Sequence, residues 1–261
     1  MPLKLLPVNF FDEATVSVVP SAVSAFPVSN LQSNVRDAVW RSPNLDQQVI
    51  QWTWGGNARP VNSWGLWPAV GAASLIGAKV RVQLFSDPAF TTQVYDSGTL
   101  DFFTFSGGLW GSFKWGATKW GVADDDRTAR LAPLLRFFNQ VTAGSGRLTI
   151  TNGGAVDKPY FEARRFWLAQ AVSAPYNARP GAAPAPASSS KHERTIGGVL
   201  RRQVGAKWRG IRFETKFSSE ADRAAWSDLN YACDPSVEIV LSLFPGEGTR
   251  RERDFTYLGS L

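Results

Sequence analysis

Apolar and polar residues trade places at every second position through much of this chain. Lys79–Phe85 (KVRVQLF) does so without a break. Gln48–Trp54 sets Val49, Gln51 and Thr53 against Ile50, Trp52 and Trp54. Trp208–Phe217 sets Ile211, Phe213, Thr215 and Phe217 against Arg212, Glu214 and Lys216. A period of two turns one side of an extended chain into a core and the other to solvent, so each run predicts a half-buried strand. Val61–Trp67, Arg130–Gln140, Gly146–Ile150 and Phe161–Gln170 read as further strands, the last with only partial alternation. Helical signal is confined to one place. Ser219 and Asp222 form a capping-box-like pair, and Ala221, Ala225 and Leu229 make a stripe that carries a helix to about Tyr231. Beyond the Asp234–Pro235 turn, Val237–Phe244 reads as one more strand.

The N-terminal runs Leu3–Leu6, Val8–Phe11 and Thr15–Val19 are cut by Pro7, Pro20 and Pro27. Proline cannot donate to a central ladder, so these are expected to be edge strands that pair with something distant in the chain. Ala178–Ser190 (ARPGAAPAPASSS) has no residues for a core. It predicts an extended or mobile loop over 178–192, closing a hairpin in which Arg164–Ala169 and Trp208–Phe217 become neighbours in one sheet.

Composition narrows the chemistry. With 261 residues, 44% hydrophobic and 19% charged, the chain has material for one large or two ordinary globular domains. A single cysteine, Cys233, excludes an intrachain disulfide framework, and a single histidine, His192, argues against a zinc site. His192 sits beside the Ser-rich loop, where nothing orients it as a catalytic base. Phosphate-binding glycine motifs are absent. Asp124–Asp126 reads as a charged turn, and Asp87, Asp96 and Asp101 occupy turn positions where Asp has local backbone reasons to sit. No catalytic residue, cofactor or metal is predicted, and the chain is expected not to be an enzyme. Pro7 and Asp12 interrupt the apolar N-terminus, so no signal-peptide core is expected. No run of about 18 apolar residues predicts a membrane span.

Two surfaces stand out. Trp110, Trp115 and Trp120 recur every five residues, each followed by glycine, within a loop over 105–126. Five matches neither the helical nor the strand period. These indoles read either as a platform for a glycan or partner, or as a satellite cluster folded onto the domain. The second surface is basic. The net charge is +6, and from Lys191 to Lys216 eight basic residues face Glu193 and Glu214, which alone gives +6. Arg201, Arg202, Lys207, Arg209 and Arg212 are the candidates here, for a partner interface or a channel face, for nucleic acid, or as a solvated face.

Two resemblances follow from the order of motifs. Asn30–Leu31, then Trp40-Arg-Ser42, the Val61-Asn-Ser63 strand and Val80-Arg-Val-Gln-Leu-Phe-Ser-Asp87 with its turn resemble the galactose-binding-like (discoidin-type) β-sandwich, over residues 28–159. That family binds sugars, lipids or proteins through loops at one end. Arg164-Arg-Phe-Trp-Leu-Ala169, Pro175-Tyr-Asn177, Arg194-Thr-Ile-Gly-Gly198, the basic strand, the helix and Leu243-Phe-Pro245 are similar to distal-tail or minor-tail proteins at the tail tip of long-tailed bacteriophages. This implies a mainly β chain with a discontinuous tail-tube-like β-sandwich and one flanking helix over 1–27 and 160–261, into which the galactose-binding-like sandwich is inserted. It also implies a virion protein, assembled in the host cytoplasm, that forms a homo-oligomeric ring, a hexamer by resemblance, at the junction of tail tube and baseplate. Its partners would be tube, tape-measure and hub proteins, with a cell-surface glycan for the sandwich and no sequence-specific nucleic acid. A stand-alone carbohydrate-binding module is the alternative.

Overall fold

The computed structural model describes residues 2–20, 22–35, 37–69, 75, 77–102, 133–154, 156, 158–174, 183–188, 191–194, 200–203, 207–212, 214, 216, 219–232, 238–246 and 256–259. The first half contributes β1 (Lys4–Leu6), β2 (Thr15–Val19), β3 (Trp40–Arg41), β4 (Gln48–Thr53), β5 (Arg59–Pro68), β6 (Ala78–Phe85), β7 (Gln93–Asp96) and β8 (Leu100–Asp101). Next come β9 (Leu134–Ala143), β10 (Ser145–Asn152), β11 (Glu162–Ala169) and β12 (Val172–Ser173). The last part holds β13 (Ala183–Ser188), β14 (Lys191–Arg194), β15 (Leu200–Gln203), β16 (Lys207–Arg212), the helix α1 (Glu220–Ala232), β17 (Ile239–Ser242) and β18 (Thr256–Gly259).

Two sheets form a sandwich. The outer sheet runs β2-β4-β10-β6-β7, with β8 also paired to β6, and the inner sheet runs β3-β11-β5-β9. Two of the alternating runs, Gln48–Trp54 and Lys79–Phe85, land here as read, whereas Trp208–Phe217 lies outside the sandwich and its strand is described only as far as Arg212. Ile50 and Trp52 of β4, Val80, Val82 and Leu84 of β6, and Leu148 and Ile150 of β10 all point into one core. At its centre Phe11 meets Trp52 edge-on at 5.5 Å and Phe166 at 4.9 Å. Gly146 opposes Trp52 in the ladder, and a Cβ there would lie 2.2 Å from the indole, so only glycine leaves room for that ring.

The inner sheet is buried on both faces, which explains why β11 alternates only in part. Phe166 and Leu168 enter the sandwich core, while Trp167 and Ala169 turn the other way. That second face receives a separate four-stranded sheet, β12-β1-β17-β18. Leu6 and Val240 of this base sheet pack with Trp67, Leu135 and Trp167. Its far side buries Leu3, Leu5, Ile239, Leu241 and Leu243, with Trp226 of α1 packed against them. The layers are therefore outer sheet, inner sheet, base sheet and helix. The helix starts as the sequence predicts, with Ser219 Oγ accepting from Asp222 N at 3.1 Å.

The N-terminal strand β1 lies in the middle of the base sheet, antiparallel to β17 in the register Lys4↔Ser242 to Leu6↔Val240 and to β12 on its other side. It is a central strand, not an edge. Pro7 follows it directly, outside the ladder. The sheets divide the chain differently from the boundaries at residues 27 and 160. Both β2 and β11 lie in the sandwich, paired with β4 and with β3 and β5.

Two expectations for the C-terminal part need correction. Arg164–Ala169 and the basic strand are not neighbours: β11 sits between β3 and β5, while β16 pairs with β13. Both faces of β11 are already committed to cores, and both of its edges to other strands. The Pro/Ala/Ser stretch is not wholly loop, because residues 183–188 form β13. Antiparallel pairing points alternate N–H groups inward. With Pro184 and Pro186 two residues apart, Ala183, Ala185 and Ala187 can supply the ladder donors while both prolines keep to the outer edge.

Candidate functional site

The basic residues singled out from the sequence come together on one element. β13 and β16 pair from Ala183↔Arg212 to Ser188↔Lys207, and β14 and β15 pair from Lys191↔Gln203 to Arg194↔Leu200. These are nested ladders of one hairpin excursion that leaves the chain after β12 and returns before α1. β15 carries Arg201 and Arg202, and β16 carries Lys207, Arg209 and Arg212. The opposite strand adds Lys191 and Arg194, with Glu193 opposite Arg201 and His192 opposite Arg202. His192 therefore faces a basic residue across the ladder, with Lys191 and Glu193 on either side of it along β14. The charge clustering was legible in the sequence; the pairing that joins residues 191–194 to 200–203 was not.

Trp110, Trp115 and Trp120 lie outside the described residues, as do Asp124–Asp126 and Cys233. Among the described residues, no group of three or more His, Cys, Asp or Glu side chains is placed to hold a metal ion. No helix among them is long and apolar enough to cross a membrane.

The turn carboxylates have structural employment. Asp87 accepts from the backbone N–H groups of Thr92 at 2.7 Å, Ala89 at 2.9 Å and Thr91 at 3.1 Å, and these bonds, that of Thr92 foremost, hold its carboxyl below the usual range. Asp96 is held low chiefly by its hydrogen bonds from Arg81, one of them 2.9 Å from Nε to Oδ1. A proton-donating carboxylic acid needs the opposite shift.

The outer sheet presents a polar row across five strands. Pairing aligns Ser17, Gln51, Arg147, Gln83 and Asp96 side by side. Arg147 lies beside two rings, 5.6 Å from Phe85 and 5.5 Å from Phe90, and with the Gln51 amide turned so that its oxygen faces the guanidinium it donates to that oxygen at 3.1 and 3.2 Å. Phe90 has a φ of 60°, unusual for a residue with a side chain, and the Asp87-capped turn holds it there.

A buried ionic junction, unseen from the sequence, joins sandwich to base. β11 carries a bulge between Ala163 and Arg165, so that Arg164 and Arg165 both reach Glu238, just ahead of β17, at 3.4 and 3.3 Å. Arg165 also grips Asp12 through both oxygens at 2.7 and 2.6 Å. Asn9 donates to Asp12 at 2.8 Å. Burial raises the Glu238 carboxyl and pushes Asp12 up to about 6, against the downward pull of Arg165.

Solved structures share this kind of architecture at low overall similarity. A Clostridium perfringens carbohydrate-binding module in complex with GalNAc-β-1,3-galactose is 12% identical, covering 64% of this chain and 99% of its own, with a TM-score of 0.42. A second C. perfringens module of family 32, in complex with galactose, is 13% identical over 64% and 99%, with a TM-score of 0.43. The chitosan-binding module 1 of a Paenibacillus chitosanase/glucanase is 20% identical over 62% and 99%, with a TM-score of 0.40. No protein-family model matches the chain, and no curated protein does. With TM-scores this low, the sandwich rests on the chain's own strand pairing.

Proposed function

We propose that this chain is a structural subunit of the tail tip of a long-tailed bacteriophage. In this reading the base makes the ring contacts and the sandwich faces outward as a recognition module, and the chain catalyses nothing. The observation that carries the reading is the base sheet: strands from residues 4–6, 172–173, 239–242 and 256–259 close around the sandwich's point of insertion, and Trp226 of α1 packs against them. An assembly module is well served by that plan, because a domain inserted between β1 and β12 projects away from the strands that must meet a neighbour. Identical subunits that meet head to tail close into a ring when the rotation closes.

The polar row on the outer sheet favours a second reading, a stand-alone carbohydrate-binding module. Guanidinium and amide groups flanked by aromatic rings suit sugar hydroxyls and their apolar faces, and Trp110, Trp115 and Trp120 would extend such a site. Light scattering coupled to negative-stain imaging separates the two. Assembly predicts a mass that rises with concentration to a fixed multiple of 28.6 kDa, seen as closed rings. A monomer at every concentration, whose tryptophan fluorescence is quenched by polysaccharide and no longer so once Trp110, Trp115 and Trp120 are replaced by alanine, would support the module instead.

A further inference from the structure

We infer that the hairpin excursion formed by β13–β16 is a binding arm for duplex DNA, held by its phosphates without regard to sequence. The chain has 28 basic and 22 acidic residues. Residues 183–212 hold seven of the former and one of the latter, which leaves 21 of each elsewhere. The whole net charge of +6 thus belongs to the arm, and the rest of the chain is neutral. Strand pairing places that charge along the full length of both ladders, from Arg212 at the root to Arg194 near the turn.

Geometry selects the partner. Six cross-strand pairs join β13 to β16 and four join β14 to β15, so at about 3.4 Å per pair the basic residues lie on two-stranded ladders of roughly 20 and 14 Å. A two-stranded antiparallel ribbon is one of the elements the major groove admits, and its right-handed twist lets it follow the groove. An added protein strand is a poorer occupant. Pro184 and Pro186 remove donors from the outer edge of β13. On β16, a second copy's β16 paired antiparallel about Arg209 would set arginine against arginine and destabilise the contact. The arm needs an anion, and the phosphate backbone offers one charge every ~1.7 Å of helix axis. This inference does not depend on the tail-tip reading, since duplex binding is measured on the purified chain whatever its oligomeric state.

The test is fluorescence anisotropy of a labelled duplex of about 30 base pairs against the full chain, across a salt series. About six phosphate contacts predict an affinity that falls on the order of 10³-fold between about 50 and about 200 mM salt. Replacing Arg201, Arg202, Lys207, Arg209 and Arg212 together by glutamine is expected to abolish measurable binding or to flatten the log–log salt slope by about 4.5, at ~0.9 per charge. The same five positions as lysine, which keep the charge, should retain binding and its slope, with circular dichroism confirming the fold of each variant. A flat salt response in the native chain, binding unchanged in the glutamine variant, loss of binding in the lysine variant while folded, or polyglutamate bound at least as tightly as the duplex would each overturn the inference.

Discussion

Replacing Arg165 by methionine is expected to cost about 3 kcal/mol of folding stability, because it strips the junction of its more buried cation, takes from Asp12 the guanidinium that grips it and leaves Glu238 with Arg164. The Arg165 side chain is only 3% exposed, whereas Asp12 and Glu238 keep 35% and 18% exposure. The guanidinium itself gains nothing from water that its loss would restore. The penalty should depend on pH. In the folded chain Asp12 holds its proton to about 6, and unfolded only to about 3.8. The native state therefore binds more protons between those values, and this carboxyl's contribution to stability is fully present below 3.8 and lost as pH rises through 6. Removing Arg165 removes the main opposing pull and raises both carboxyls further, so the variant's deficit should widen from pH 4 to pH 7. Urea titrations at the two pH values measure this. Adding Asp12→Asn and Glu238→Gln to Arg165→Met should recover part of the loss at pH 7. A deficit independent of pH and untouched by the neutral partners would show that Arg165 acts through packing alone.

Trp167→Ala is expected to cost about 3–5 kcal/mol and to loosen the base more than the sandwich. The indole is 1% exposed and sits on the face of β11 that turns away from the sandwich core. It packs beside Trp67, with ring centres 6.2 Å apart, and among Leu6 and Val240 of the base sheet. Trp67, Leu135, Phe137 and Leu258 complete that cluster, and alanine at 167 would leave a cavity among them. Hydrogen exchange reads the distribution directly. Amides of β1 and β17 should lose protection first, while those of β4 and β10, on the far side of the sandwich core, should keep theirs. Equal loss across all four strands would mean that the two parts melt as one unit. The Arg165 guanidinium lies 5.3 Å from the Trp167 ring, so the two substitutions are expected to combine non-additively.

What could be read from the sequence followed from burial. Strands of the outer sheet bury one face, and β4, β6 and β10 show it as clean alternation. The inner sheet is covered on both sides, so β5 and β11 read as apolar runs with stray polar residues. Arg164 and Arg165 are adjacent in a strand of only partial alternation, and only the bulge and the approach of Asp12, 153 positions away, reveal an ionic junction. Asp12 interrupts an apolar N-terminal run, and that position carries no sign of its distant partner. The proline-rich stretch reads as coil by composition, and the alternate spacing of Pro184 and Pro186 was the available sign that it could lie along a strand. The basic cluster was visible as charge, but its candidate role depends on two ladders that no local pattern predicts.

The central proposal, that this chain is a ring-forming tail-tip subunit, is tested most directly by gold labelling of a C-terminal tag on phage particles that carry the chain. Gold is expected only at the tail end distal to the head, in a fixed number of copies per particle. Gold on the head or along the tail shaft, or particles without gold alongside free soluble protein, would contradict it.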